Sequence, residues 1–275
     1  VGGGLSNTAD GEKATVSGGD FNVASAKAGT IAGGGYNSVD GMHSTVGGGW
    51  KNVATGYYTV IAGGLRSTVT GTAAVIAGGG DHSATANYAT VSGGLQNDVL
   101  ARFGVISGGQ YNTVLGSNTV IGGGTNNVVQ SDEAVISGGG FNLVVQNHGS
   151  IGGGWLNTAN SSFGTISGGR RNSVHGASAF IGAGSDGRAL AAYSVVVGGS
   201  SNSALATYAI VTGGSSNTAS GDYSFIGGGN QNYASAYSAV VGGSANTADS
   251  VKAIVGGGWR NSVSGDYATI VGGTR

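Results

Sequence analysis

A Val or Ile leading into a glycine-rich turn returns every fifteen residues along the whole chain. It stands at Val1, Val16, Ile31, Val46, Ile61, Ile76, Val91, Ile106, Ile121, Ile136, Ile151, Ile166, Ile181, Val196, Val211, Ile226, Val240, Val255 and Ile270. The single departure is an interval of 14 residues between Ile226 and Val240. Eighteen complete repeats and a stub follow the consensus V/I-x-G-G-x-x-N-x-A/V-x-G-x-x-S/A/G-T/V. Fifteen is no multiple of 3.6, and a glycine pair in nearly every repeat opposes any helix. Apolar residues instead alternate with period two around positions 1 and 9, which is a strand signal. Each repeat therefore reads as two short strands and two turns, the turns near positions 4 to 6 and 11 to 13. Positions 14, 1 and 3 should share one inward face, and positions 7, 9 and 11 the other. One such unit cannot bury a core, but a stack of them can. The fold expected is all-β: a parallel β-solenoid, or β-roll, of about eighteen 15-residue coils spanning residues 1–275 as one continuous domain.

The short coil, 226–239, tests that frame. Its missing residue falls between Ala236 and Tyr237, at the second turn. A deletion within a strand would flip every later side chain to the opposite face, whereas one in a turn only tightens a corner. Composition agrees: the chain contains 60 Gly and no Pro, and a Pro in either strand would remove a bond from a continuous ladder.

Position 7 is Asn in fifteen of eighteen repeats: Asn7, Asn22, Asn37, Asn52, Asn97, Asn112, Asn127, Asn142, Asn157, Asn172, Asn202, Asn217, Asn232, Asn246 and Asn261. Ser67, His82 and Gly187 are the exceptions. The column runs in phase with the inward Ala/Val of position 9, so we read it as an internal Asn ladder whose amides bond coil to coil.

Charge is absent where a solvated strand should carry it. All charged residues fall at positions 5, 6, 8, 10, 12 and 13, and none at 14, 15, 1, 2, 3 or 4. Position 15 should point outward, yet it is apolar at Val60, Val75, Val105, Val120, Val135, Phe180, Val195, Ile210, Phe225 and Ile254, and Thr in six other repeats. A long uncharged strip of this kind marks a contact surface, and those ten residues are the expected oligomer seam. Position 13 is Tyr or Phe in nine repeats, and Tyr193, Tyr208, Tyr223 and Tyr237 form a surface aromatic row on consecutive coils. Such a row can bind sugar rings or simply cover a turn. Trp50, Trp155 and Trp259 all occupy position 5, seven coils apart.

Motifs for chemistry are lacking. Ile121-Gly122-Gly123-Gly124 has neither the helix nor the Gly-Lys-Ser/Thr ending of a phosphate loop. Gly182-Ala183-Gly184-Ser185-Asp186-Gly187 resembles one calcium β-roll nonapeptide but has no tandem copies. The four His are scattered, and Asp132-Glu133 reads as solvated turn charge. No enzyme, cofactor or metal site is expected. A net charge of −1 gives no footprint for nucleic acid or an anionic membrane. No apolar run reaches membrane-spanning length, and the chain contains no Cys. Asn160-Ser161-Ser162 is the only glycosylation sequon.

The wording Ala219-Ser220-Gly221-Asp222-Tyr223-Ser224-Phe225-Ile226-Gly227 resembles the head repeats of trimeric autotransporter adhesins of the YadA type, and the Gly-Gly-x-x-Asn-x-Ala-Ser-Gly wording resembles repeats of bacterial and viral tail-fibre-like proteins. That resemblance implies a left-handed β-roll, a homotrimer, and a non-catalytic structural or adhesive rod of a bacterial or virion surface fibre. It also implies an extracellular location and a surface glycan or host-cell receptor as partner. The period of 15 and the Gly-Gly-x-x-Asn corner depart from the adhesin pattern. A second resemblance, to the grass ice-binding repeat x-x-N-x-V-x-G, rests on Asn37–Gly41, Asn112–Gly116, Asn172–Gly176 and Asn261–Gly265. It implies an ice-binding solenoid as the alternative.

Overall fold

A computed structural model describes residues 1–274 and shows an all-β parallel solenoid with no helix among them. Two-residue strands at positions 8–9 and 15–1 alternate with two corners in every coil. The chain forms two compact units, Val1–Gly139 and Gly140–Arg275. In the first unit, nine strands from Thr8–Ala9 to Val128–Val129 make one parallel row, and nine from Thr15–Val16 to Val135–Ile136 make the other. In the second, the rows run from Leu143–Val144 to Ser262–Val263 and from Ser150–Ile151 to Thr269–Ile270, again nine strands each.

The hydrogen bonding explains why such short strands suffice. Strand amides donate forward to the next coil, as in Thr8 N–H to the Asn22 carbonyl at 2.8 Å and Thr15 N–H to the Gly29 carbonyl at 2.9 Å. At each corner one residue turns the donor round: Phe21 N–H reaches back to the Leu5 carbonyl at 2.8 Å, and Ala28 N–H to the Glu12 carbonyl at 2.7 Å. These reversals need a left-handed backbone. Position 6 and position 13 adopt it in coil after coil, with φ between 50 and 61° in non-glycine residues. From the second coil on, the strain of each is outweighed because its N–H bond to the preceding coil fixes it.

Position 4 tolerates only glycine. At Gly109 (φ 88°) a Cβ would lie 2.1 Å from the Gly124 carbonyl oxygen of the next coil and 2.8 Å from Asn112 Nδ2. The glycine of position 3 has a different environment: a Cβ on Gly18, Gly33 or Gly48 would meet nothing within 4 Å. The inward face thus consists of positions 14 and 1, and position 3 turns outward because the corner begins one residue earlier than strict alternation predicts. Inside, single columns of Ile/Val at position 1 from Val16 to Val255 and of Ala/Val at position 9 from Ala24 to Val263 are buried, together with small residues at position 14 such as Ala74, Ala89 and Ser44.

The short coil keeps its register. Phe225 pairs with Ala239 and Ile226 with Val240, while Tyr233–Ala234 pairs with Thr218–Ala219 on one side and Thr247–Ala248 on the other. The lost residue is absorbed at the second corner, where Tyr237 N–H still reaches the Asp222 carbonyl at 2.8 Å.

Candidate functional site

Three columns and one corner cluster carry the surface and interior chemistry. The Asn column is the interior one. Asn112 is typical: its backbone N–H donates to Asn97 Oδ1 at 3.0 Å, and its Nδ2 donates to the Gly108 carbonyl at 3.2 Å and to that of Gly124 in the next coil at 3.0 Å. Its own Oδ1 accepts the Asn127 backbone N–H at 3.0 Å. The same pattern holds from Asn22 to Asn52 and from Asn202 to Asn261. Buried amides satisfied in this way tie the glycine corner to both neighbours, so this column is structural.

At His82 the ladder is flawed. The ring is buried, its Nδ1 accepts the Asn97 backbone N–H at 3.1 Å, and its Nε2 finds no hydrogen-bond partner. Burial lowers its pKa, against weaker opposing effects from the Asn97 and Gly94 backbone and from Asp98 and Asp81. The neutral ring is therefore protonated on Nε2. Upstream, His82 N–H makes only a 3.3 Å bond to Ser67 Oγ.

The uncharged strip lies on the outside of the second strand row. Val60, Val120, Val135, Phe225 and Ile254 are exposed, while Val75, Val105, Phe180, Val195 and Ile210 are half-buried. Val197 and Val241 of position 2 add to it, 47% and 56% exposed. The two Phe do not stand up from the strip. Phe180 Cε1 lies 3.5 Å from the position a Cβ on Gly182 would take, and Phe225 Cε1 lies 3.4 Å from that on Gly227, so each ring folds down over the glycine two residues on. At these two coils the face stays flat, and along its length it is uncharged, with Val, Ile and Phe interrupted by Thr and Ser.

The tyrosine row is a closed pile. Tyr193, Tyr208, Tyr223 and Tyr237 stack with centroids 4.9, 4.9 and 5.2 Å apart and planes within 18° of parallel. Within the pile the faces cover one another, and only the outer faces of Tyr193 and Tyr237 have no ring of the row against them. A sugar needs a free ring face, so the row chiefly covers the left-handed corner rather than offering a continuous stacking platform.

One arrangement is not visible in any single column. On the first corner, Trp50 leans back over Gly35, where a Cβ would lie 2.4 Å from Cζ3, and meets Tyr36 at 4.7 Å and 58°. The next coil supplies Arg66, whose N–H bonds the Trp50 carbonyl at 2.8 Å, and the coil after it supplies Asp81, held by Arg66 Nε at 2.6 Å and Nη2 at 2.7 Å. The second unit holds the same group. Trp155 lies over Gly140 with a Cβ distance of 2.3 Å and meets Phe141 at 4.7 Å and 57°. Arg171 N–H bonds the Trp155 carbonyl at 2.9 Å and grips Asp186 through Nε at 2.8 Å and Nη2 at 3.0 Å. The signal that finds this cluster is an echo at 105 residues, seven coils, superimposed on the 15-residue period.

Among the described residues no three His, Asp or Glu side chains converge as metal ligands. No protein-family model matches the chain. No curated protein matches it significantly.

Proposed function

We propose that this chain is a structural and adhesive segment of an extracellular or virion-surface fibre, in which copies of the chain, three being the number the adhesin resemblance implies, pack along the uncharged face. The observation that supports this best is the flat apolar strip of positions 15 and 2. Val120, Val135 and Ile254 on it are 38, 39 and 41% exposed, and a run of exposed apolar residues with no charge among them is uncommon on a soluble monomer. The role of the fold is mechanical: a backbone ladder in every coil resists proteolysis, and corners bearing Tyr, Trp, Arg and Asp face the medium. A handedness and a trimer of the YadA type belong to the same proposal. Ice binding is the rival reading, and it is favoured by Thr15, Thr30 and Thr45, which pair directly on three consecutive coils.

Light scattering over a range of concentrations tests the proposal. A stable mass three times that of the 26.4 kDa chain is the expected result. A clean monomer would remove the seam and make ice-recrystallisation inhibition the next assay.

A further inference from the structure

The ring column of the second corner is interrupted twice in the same way. Position 13 takes the left-handed backbone in every coil, so its side chains leave the corner from equivalent points. Where neighbouring coils both carry rings there, the rings stack, with centroids 4.5 to 5.2 Å apart and planes within 18° of parallel. Ala73 carries no ring, yet Tyr58 stands on the coil before it and Tyr88 on the coil after; Ser178 stands likewise between Phe163 and Tyr193. Backbone bonds place these residues on successive rungs. Ala73 N–H reaches the Tyr57 carbonyl at 2.8 Å and Tyr88 N–H that of Thr72 at 2.9 Å. Ser178 N–H reaches the Ser162 carbonyl at 3.0 Å and Tyr193 N–H that of Ala177 at 2.9 Å. Every wall ring is braced from behind by a second ring: His43 behind Tyr58 at 5.2 Å and 5°, Phe103 behind Tyr88 at 4.9 Å and 14°. His148 stands behind Phe163 at 4.5 Å and 7°, and Tyr208 behind Tyr193 at 4.9 Å and 6°. The brace holds each wall in the plane of the column, with its other face turned to the ringless rung. Covering a left-handed corner accounts for the rings; the two slots arise where a ring is missing between them.

We propose that the slots Tyr58–Ala73–Tyr88 and Phe163–Ser178–Tyr193, one in each compact unit, bind a planar, electron-poor aromatic ring, above all a cationic nitrogen heteroaromatic. The width argues for a flat ring. The walls stand two coil spacings apart, roughly 9.6 Å, and a ring midway lies at offset-stacking distance from both. Tyr208, 4.9 Å from Tyr193 on one side and from Tyr223 on the other, is that arrangement made by the chain itself. The chain also shows which charge suits. Lys252 occupies a third rung of this kind, between Tyr237 and Tyr267, and its ammonium lies 4.8 Å from the Tyr267 ring centroid. Aromatic faces are negative, so a positive or electron-poor ring is attracted from both sides. Positions 12 and 13 of the three coils of each slot carry no charge. Arg102 belongs to the coil beyond Tyr88 and lies closer to the bracing Phe103, at 4.6 Å, than to Tyr88, at 5.6 Å. The floors differ: Ser178 offers a ligand one hydroxyl that Ala73 does not.

The proposal goes beyond the fibre reading and depends on neither the seam nor the trimer. The test is titration of the whole chain with N-methylquinolinium, followed by calorimetry and by quenching of the quinolinium emission. Saturable binding with two sites per chain is expected. Cyclohexyltrimethylammonium, of the same charge but not flat, should bind at least about tenfold more weakly. A73Y and S178Y each put a ring on the bare rung, as Tyr208 does on its own, and should each remove one site; the double variant should remove both. Y88L keeps apolar bulk over the corner without a ring face and should weaken the first site about fivefold. Circular dichroism melts establish that each variant folds, and Y88L covers the case in which A73Y does not. No saturable binding of N-methylquinolinium, equal binding of the two cations, or unchanged stoichiometry in the folded A73Y/S178Y chain overturns the proposal. A trimer that binds no N-methylquinolinium sinks the slots alone, whereas a monomer that binds it sinks the seam alone.

Discussion

Each position-7 amide satisfies backbone groups of its own coil and of the next, so the cost of a wrong side chain there depends on which of those groups it leaves unpaired. Gly187 N–H donates to Asn172 Oδ1 at 2.9 Å, but the residue has no side chain to bond onward. His82 passes one bond on and strands its Nε2. Replacing it by Asn should restore donors to the glycine corner and raise stability by ~1–2 kcal/mol. The same variant should remove a pH dependence whose sign is fixed. In the folded chain the His82 pKa is lowered by burial, while in the unfolded chain it lies near 6.5. Below about pH 6.5 the unfolded state takes up the proton first, so stability is intact above that pH and falls as the pH drops toward the lowered folded value. The charged neighbours are Asp81, already paired with Arg66, and Asp98, whose own pKa is raised by burial and which therefore acts in the opposite sense in the carboxylate range. Thermal melts between pH 7.5 and 5 should slope for the parent and flatten for H82N. Equal slopes would show that His82 is not the group responsible.

At the scale of the coil, a corner and a strand differ in what they forgive. Inserting one Gly after Ala236 rebuilds a 15-residue coil at a corner that other coils already span, and should change stability by no more than ~0.5 kcal/mol. Deleting Thr113 instead shifts a strand by one residue, turns Val114 outward from full burial, and should abolish the cooperative transition. Comparable melts for both variants would contradict the register argument. The same contrast shows what the sequence made legible. The period, the two strands, the Asn ladder and the position of the lost residue follow from side-chain alternation, because in a solenoid every coil repeats the same environment. Position 3 faces outward, against the alternation, because the left-handed glycine of position 4 breaks the strand pattern there. The Tyr row was legible as a row, but whether its faces were free depended on ring planes, which spacing does not encode. The Trp cluster escaped because its members occupy positions 5 and 6 of four successive coils, and a consensus averages such residues away.

For the whole molecule, the thin interior and the uncharged face are one problem. Each coil buries one Ile or Val and one Ala or Val with small companions, and stability in a stack is the sum of such modest units and their interfaces. Burying the strip between chains would add apolar area to every coil without altering the fold of any. An interface built this way contains no ion pairs to screen, so raising salt should leave the oligomer intact. Val120 and Val135 are paired neighbours on the strip, both exposed in the single chain. Asp at both positions should therefore leave the circular dichroism spectrum and the coil fold unchanged. In a trimeric seam the same pair places six carboxylates in apolar contact, at a cost of several kcal/mol for each that stays charged. The V120D/V135D chain should then run at monomer mass in light scattering at concentrations where the parent is trimeric. The opposite charge-free swap, Val120 and Val135 to Thr, keeps shape while weakening burial and should raise the concentration needed for assembly without abolishing it. If the parent is a trimer and the Asp variant keeps its mass, the strip is not the seam, and the copies meet through another face.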